Sequence, residues 1–247
     1  MSETLIIRGP DSDLAAVIHR PKTVDLNCSL IFCHGFRGSK EGGGRATLLA
    51  EQAAKLGYIA VRFDFTPLGC LSKQVAELKA AAHFCRYHLA KRIVLFGRSM
   101  GGSAALAYAA GCDDINGLCL WATPWNLEET FRLALGEAYE NLLQGEKLLV
   151  ADACGKLSLT PDFIRDFANY DLKRCIRLLS GTPILFVHGD SDDTVPIYQA
   201  ETLFQCAGEP KEFVVIKGGN HQLSAHNKAA AAAVIAWLTR LSAVGGL

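Results

Sequence analysis

RIVLFGRSMGGSAALAYAA, residues 92–110, decides the fold. Its first residues are apolar, as a strand buried on both faces requires. Its last residues are small and read as a helix packed close to that strand. Between them Ser99 stands among Gly97, Gly101 and Gly102. A strand that turns sharply into a helix over glycines holds the side chain at the turn out beyond the strand's C-terminal end. A tight turn with no further duty has the same composition, so the flanking sequence must decide between the two.

Working outward, short apolar runs alternate with helical stretches. LIIRG (5–9) and LAAVIHR (14–20) read as a hairpin about the turn PDSD. SLIFCHG (29–35) is a buried strand, residues 47–56 a helix, YIAVRFDF (58–65) a strand and residues 72–89 a helix. Beyond the opening stretch come the strands NGLCLWA (116–122), PILFVHG (183–189) and KEFVVIKGG (211–219), and a closing helix over 222–241. Such alternation predicts an α/β chain with a mostly parallel central sheet flanked by helices. The strand C-terminal ends then share one edge, where ligands bind. Residues 125–180 break the rhythm and are expected to form a helical, lid-like cap. The whole of 1–247 reads as one domain.

Composition narrows the function. Half of the 247 residues are apolar, enough for a sizeable core. Lys plus Arg equals Asp plus Glu at 25 each, so neither a nucleic-acid nor an anionic-membrane partner is signalled. Nine scattered cysteines show no C-x-x-C pair and no zinc-finger spacing. They predict reduced, mostly buried thiols and a cytoplasmic location. The start of the chain does not read as a secretory signal. The longest apolar helical run, 229–238, is too short for a membrane span.

A serine hydroxyl is a poor nucleophile unless a base takes its proton and an acid orients the base. Both are offered at later strand ends. FVHGDSDDTVP (186–196) carries Asp190, Asp192 and Asp193, and VIKGGNHQL (215–223) carries His221. The chain order of serine, acid and histidine suits an α/β-hydrolase arrangement.

The four blocks HGFRG (34–38), GRSMGG (97–102), HGDSDDTVP (188–196) and GGNH (218–221) together resemble the α/β-hydrolase superfamily. They are most similar to feruloyl or cinnamoyl esterases and to serine-aminopeptidase-like hydrolases. The resemblance implies Ser99 as nucleophile, His221 as base and Asp192 as the acid, leaving Asp190 and Asp193 as turn formers. It implies an oxyanion hole from the backbone N–H groups of Met100, which follows the nucleophile, and Phe36. His34 and His188 are expected to be structural, and His226 to lie in the closing helix. No metal or cofactor is implied. Relatives carry a longer loop after the R-x-D-F strand, and here Gly69 and Ser72 look like its remnants.

The expected activity is a carboxylesterase acting on small or medium acyl, or aryl, esters by a Ser-His-Asp acyl-enzyme route. A thioesterase, a peptidase or a dienelactone-type hydrolase would use the same triad. A peptidase would need an anionic clamp, for which Glu128, Glu129 and Glu137 are candidates. A ligand-binding protein without turnover is a further reading. The expected partner is a small acyl substrate, and the oligomeric state is left open.

Overall fold

The computed structural model describes residues 2–67, 69–152 and 155–243. Cys154, one of the nine cysteines, lies outside them. The strands are β1 (Ser2–Arg8), β2 (Asp13–His19), β3 (Cys28–Cys33), β4 (Ile59–Phe63), β5 (Arg92–Arg98), β6 (Ile115–Trp121), β7 (Leu148–Asp152), β8 (Gly155–Leu159), β9 (Ile184–Gly189) and β10 (Lys211–Ile216). The helices are α1 (Arg45–Lys55), α2 (Leu71–His88), α3 (Met100–Ala109), α4 (Leu127–Leu135), α5 (Glu137–Leu143), α6 (Pro161–Arg165), α7 (Leu172–Arg177), α8 (Ile197–Cys206) and α9 (Asn227–Ala243).

Eight strands form one sheet in the order β1-β2-β4-β3-β5-β6-β9-β10. β1 pairs antiparallel with β2 and β2 antiparallel with β4, and from β4 to β10 the strands run parallel. The chain is therefore α/β with a mostly parallel sheet, as its alternation dictates.

Strand parity divides the core. On β3 and β5, Ile31, Cys33, Ile93 and Leu95 face the layer of α2 and α3. Leu30, Phe32, Val94 and Phe96 face the layer of α1 and α9. Both strands are buried on both faces, which explains their unbroken apolar runs.

Three elements differ from the sequence reading. The segment 125–180 holds α4 to α7 but also the antiparallel hairpin β7–β8, so it is not helical throughout. The closing helix begins at Asn227, not at Gln222. Residues 221–226 form turns, with Leu223 at φ 47°, and His226 precedes the helix instead of lying inside it. Helix α8 has no counterpart in the sequence reading. It packs beside α7, with the buried side chain of Gln199 accepting from the Trp125 and Asn126 amides.

Candidate active site

The sheet edge is built around Ser99. It sits between β5 and α3 at φ 52°, ψ −131°, a conformation L-residues disfavour by about 1–3 kcal/mol. Its own amide donates to the Trp121 carbonyl at 2.9 Å, and its carbonyl accepts from Gly102 at 2.8 Å, so both sides of the turn are held. Close approach demands glycine at 101, where a methyl group would run into the Cys33 and His34 carbonyls. That contact brings the 34–36 loop over the turn. A methyl group on Gly35 would lie 3.0 Å from Ser99 Cβ and 3.6 Å from its Oγ.

Two loops bring the partners. After β9 the chain carries Asp192, and after β10 it carries His221. Gly189 lets these loops touch, because any side chain there would strike the Gly219 carbonyl. The Ser191 amide also donates to Gly219. His221 Nε2 lies 3.1 Å from Ser99 Oγ, and its Nδ1 lies 2.8 Å from Asp192 Oδ2. Ser99, His221 and Asp192 thus form one continuous hydrogen-bonded chain across three strand ends.

The carboxylate is deeply engaged. Asp192 Oδ1 accepts from the Thr194 amide at 3.0 Å and the Val195 amide at 2.8 Å. His188 Nε2 lies 3.3 Å from Oδ2 and 2.7 Å from the Val195 carbonyl. Burial alone would raise the Asp192 pKa. Hydrogen bonds from His188, His221 and Val195 outweigh it and hold the carboxyl well below the usual carboxylate range. The neighbouring acids do other work: Asp190 accepts from the Gly218 amide at 2.6 Å, and Asp193 from the Thr194 hydroxyl.

His34 is a structural residue. Nε2 accepts from the Phe65 amide at 2.9 Å, so Nδ1 carries the proton and donates to the Gly35 carbonyl at 2.9 Å. Burial lowers its pKa and keeps it neutral. Next in the loop, the amides of Phe36 and of Met100 have no acceptor among the described residues. The Met100 amide opens α3, where helix N–H groups lack intrahelical partners.

Residues 125–180, the expected cap, reach this loop through aromatic contacts. The Phe36 ring packs on Phe131 and Phe163, which in turn meet Phe167. The shortened loop after β4 is also tied to the cap. Ser72 donates to Asp166 through its amide at 2.8 Å and through its hydroxyl at 2.5 Å. Within residues 125–180, Phe131, Tyr139 and Leu142 are buried in the core, with Trp125 and Leu135 packed against it. Glu128 pairs with Arg132, and Glu129 accepts from Tyr198 and Gln199, so both serve the cap's own structure.

Arg98, the residue before Ser99, is tied to the His221 loop by hydrogen bonds. It donates to the His221 carbonyl at 3.1 Å and to Gln222 Oε1 at 2.8 Å. Two neighbours of the candidate site had no sequence signal: Arg45, which donates to the Gln222 carbonyl at 2.7 Å, and the contact of His188 with Asp192. Among the described residues, no group of three or more His, Cys, Asp or Glu side chains is arranged to hold a metal, and no helix is long and apolar enough to cross a membrane.

No family model matches the sequence. Uncharacterized protein YfhR of Salmonella typhimurium is 24% identical over 202 residues, covering 77% of this chain and 54% of that protein. The chain spans about half the length of the curated relatives it matches. Among solved structures, Est1E from Butyrivibrio proteoclasticus with ferulic acid bound superposes with a TM-score of 0.83 at 22% identity, over 97% of this chain and 99% of that one. The esterase domain of a Rhodothermus marinus protein superposes with a TM-score of 0.74 at 24% identity, with coverage of 97% and 99%. The chain has the α/β-hydrolase fold.

Proposed function

We propose that this α/β-hydrolase-fold chain is a serine hydrolase that cleaves carboxylic esters with small or medium acyl, or aryl, groups. The observation that carries the reading is the hydrogen-bonded chain from Ser99 through His221 to Asp192. Ser99 Oγ attacks the ester carbonyl while His221 Nε2 takes its proton. Asp192 holds the Nδ1–H tautomer and stabilises the imidazolium. The free amides of Phe36 and Met100 receive the oxyanion. His221 then gives its proton to the departing alcohol, leaving the acyl group on Ser99. Water, deprotonated by His221, attacks that ester; the carboxylic acid leaves and Ser99 regains its proton.

Aryl esters are included because the fold is similar to that of a protein solved with ferulic acid bound. Residues 125–180 act as the lid over this edge, through the Phe36 contacts with Phe131 and Phe163. The cellular site is the reducing cytoplasm, in line with the eight free cysteines among the described residues.

The test is hydrolysis of p-nitrophenyl esters from acetate to decanoate, and of methyl ferulate, by the intact chain and by Ser99→Ala. Turnover that is lost in Ser99→Ala is the expected result. Folded protein with no turnover on any ester overturns the reading in favour of thioester or amide substrates or of ligand binding. Thioester and amide analogues then separate these.

A further inference from the structure

Beside Ser99 lies a cavity of about 400 Å³, a size that accepts a small molecule. Its walls are the C-terminal ends of β3, β5 and β6 and the first turns of α1 and α9. Gly35 and Phe36 of the oxyanion loop form one side, and Gln222, next to His221, forms another.

Its polar chemistry is one-sided. Arg37, Lys40, Arg45 and Arg98 line it, and no Asp or Glu does. Lys40 is neutralised by Asp64 at 2.7 Å. Arg45 and Arg98 form no salt bridge among the described residues; both spend their bonds on neutral oxygens, Arg98 on those of residues 221–222 and Arg45 on the Gln222 and Gly42 carbonyls. Two half-buried guanidinium groups are thus held near each other with no carboxylate paired to either. Burial, and then Arg45, lower the Arg98 pKa to about 10 against the smaller opposing pull of Asp192.

The helices α1 and α9 both begin at the cavity, and neither has an acid in its first turn. The two guanidinium groups and the two helix starts ask for a ligand that accepts hydrogen bonds and carries negative charge.

We propose that this cavity binds a carboxylate or phosphate group carried by the substrate, so that the enzyme prefers esters with an anion a few ångströms from the scissile bond. The assignment rests on the ester-hydrolase reading. Arg45 and Arg98 take the anion's oxygens, and Arg98, adjacent to Ser99 in sequence, links its seat to the His221 loop. The anion supplies the paired counter-charge that both guanidinium groups lack among the described residues.

The experiment compares matched ester pairs by proton release at constant pH. Monomethyl adipate against methyl hexanoate places the carboxylate on the acyl part. The butyrate ester of glycolate against ethyl butyrate places it on the alcohol part. For at least one pair the anionic member is expected to show kcat/KM tenfold or more above its neutral partner. Arg45→Met is expected to reduce that ratio at least tenfold by raising KM, and Arg45→Lys to restore part of it.

Equal kcat/KM within both pairs overturns the anion site and leaves the hydrolase standing. An equal fall on both members of a pair in Arg45→Met also overturns it, because that is what mere loosening of the His221 loop would do. If no ester turns over, the hydrolase reading is what has failed. Calorimetric titration of the protein with succinate and with inorganic phosphate then decides the cavity. Binding that weakens tenfold in Arg45→Met supports it, and no binding of either anion overturns it.

Discussion

The ring of Phe36 meets the ring of Phe131 edge-on, with centroids 5.1 Å apart. Phe36, the residue proposed to lend an oxyanion amide, is therefore packed against a side chain of residues 125–180. Phe163 completes the seat, 5.4 Å from Phe36 and 5.0 Å from Phe131. Edge-to-face pairs of this kind contribute about 0.5–1.5 kcal/mol beyond their buried area. The position of the 34–36 loop is thus coupled to cap packing, and a cap substitution should be felt in chemistry.

Phe163→Leu tests that coupling. The variant is expected to lose about 1–3 kcal/mol of stability and to lower kcat on p-nitrophenyl butyrate about tenfold or more. Phe204→Leu is the control: Phe204 packs with Phe186 and Phe213, away from Phe36, and should cost stability with kcat retained. Equal kcat in the two variants, measured well below both melting temperatures, would sink the idea that the cap positions the loop.

Asp192 should matter to activity and to acid stability in separable ways. Asp192→Asn removes the acceptor that fixes the His221 tautomer, and kcat should fall by about 10⁴-fold. In the fold, hydrogen bonds overcome burial and depress the carboxyl pKa below its unfolded value. A depressed carboxyl contributes stability that is present above the unfolded pKa and lost as pH falls through the folded one. The advantage of the parent chain over Asp192→Asn should therefore be constant from pH 7 to about 5 and shrink below about 4. Urea unfolding of both proteins across that range measures it, and an advantage that grows on acidification would contradict the assignment.

The thiols divide by burial. Burial pushes the Cys28 and Cys85 thiols up to about 12 and raises Cys33 and Cys119 as well. Thiolate is the reactive form, so all four should resist iodoacetamide at pH 8 in the native chain. Cys70, Cys112, Cys175 and Cys206 are half-buried and should be alkylated first. Peptide mass mapping reads the order, and early labelling of Cys33 or Cys119 would mean that the sheet core opens.

The sheet was legible because its central strands are buried on both faces and its helices on one. RIVLF and LIFC could not be solvent-facing, and their parity alone divides the two helix layers. That Ser99, Asp192 and His221 would meet was legible because each follows such a strand. The hairpin β7–β8 was not: its residues are mostly exposed, Leu149 at 61%, and only Leu157 and Leu159 are buried. Helix α8 was hidden because its buried face includes Gln199, a polar side chain satisfied by contacts distant in sequence. The cavity was hidden for a related reason. Arg45 and Arg98 lie 53 residues apart and meet only through Gln222, so no local pattern announces them.

The backbone of Ser99 gives the last prediction. At φ 52° and ψ −131° a side chain with a Cβ is strained, and the surrounding bonds to Trp121 and Gly102 hold it there. Ser99→Ala keeps the Cβ and so keeps the strain. Ser99→Gly removes it, in a region glycine occupies readily, at an entropic cost of about 0.5–1 kcal/mol in the unfolded chain. Relief of about 1–3 kcal/mol exceeds that cost. Ser99→Gly should therefore be about 1 kcal/mol more stable than Ser99→Ala, although both lack the hydroxyl and both should be inactive. Guanidinium unfolding of the two variants with equal slopes reads the difference directly. If Ser99→Gly were the less stable of the two, the turn would not be strained, and Ser99 would be an ordinary feature of the loop.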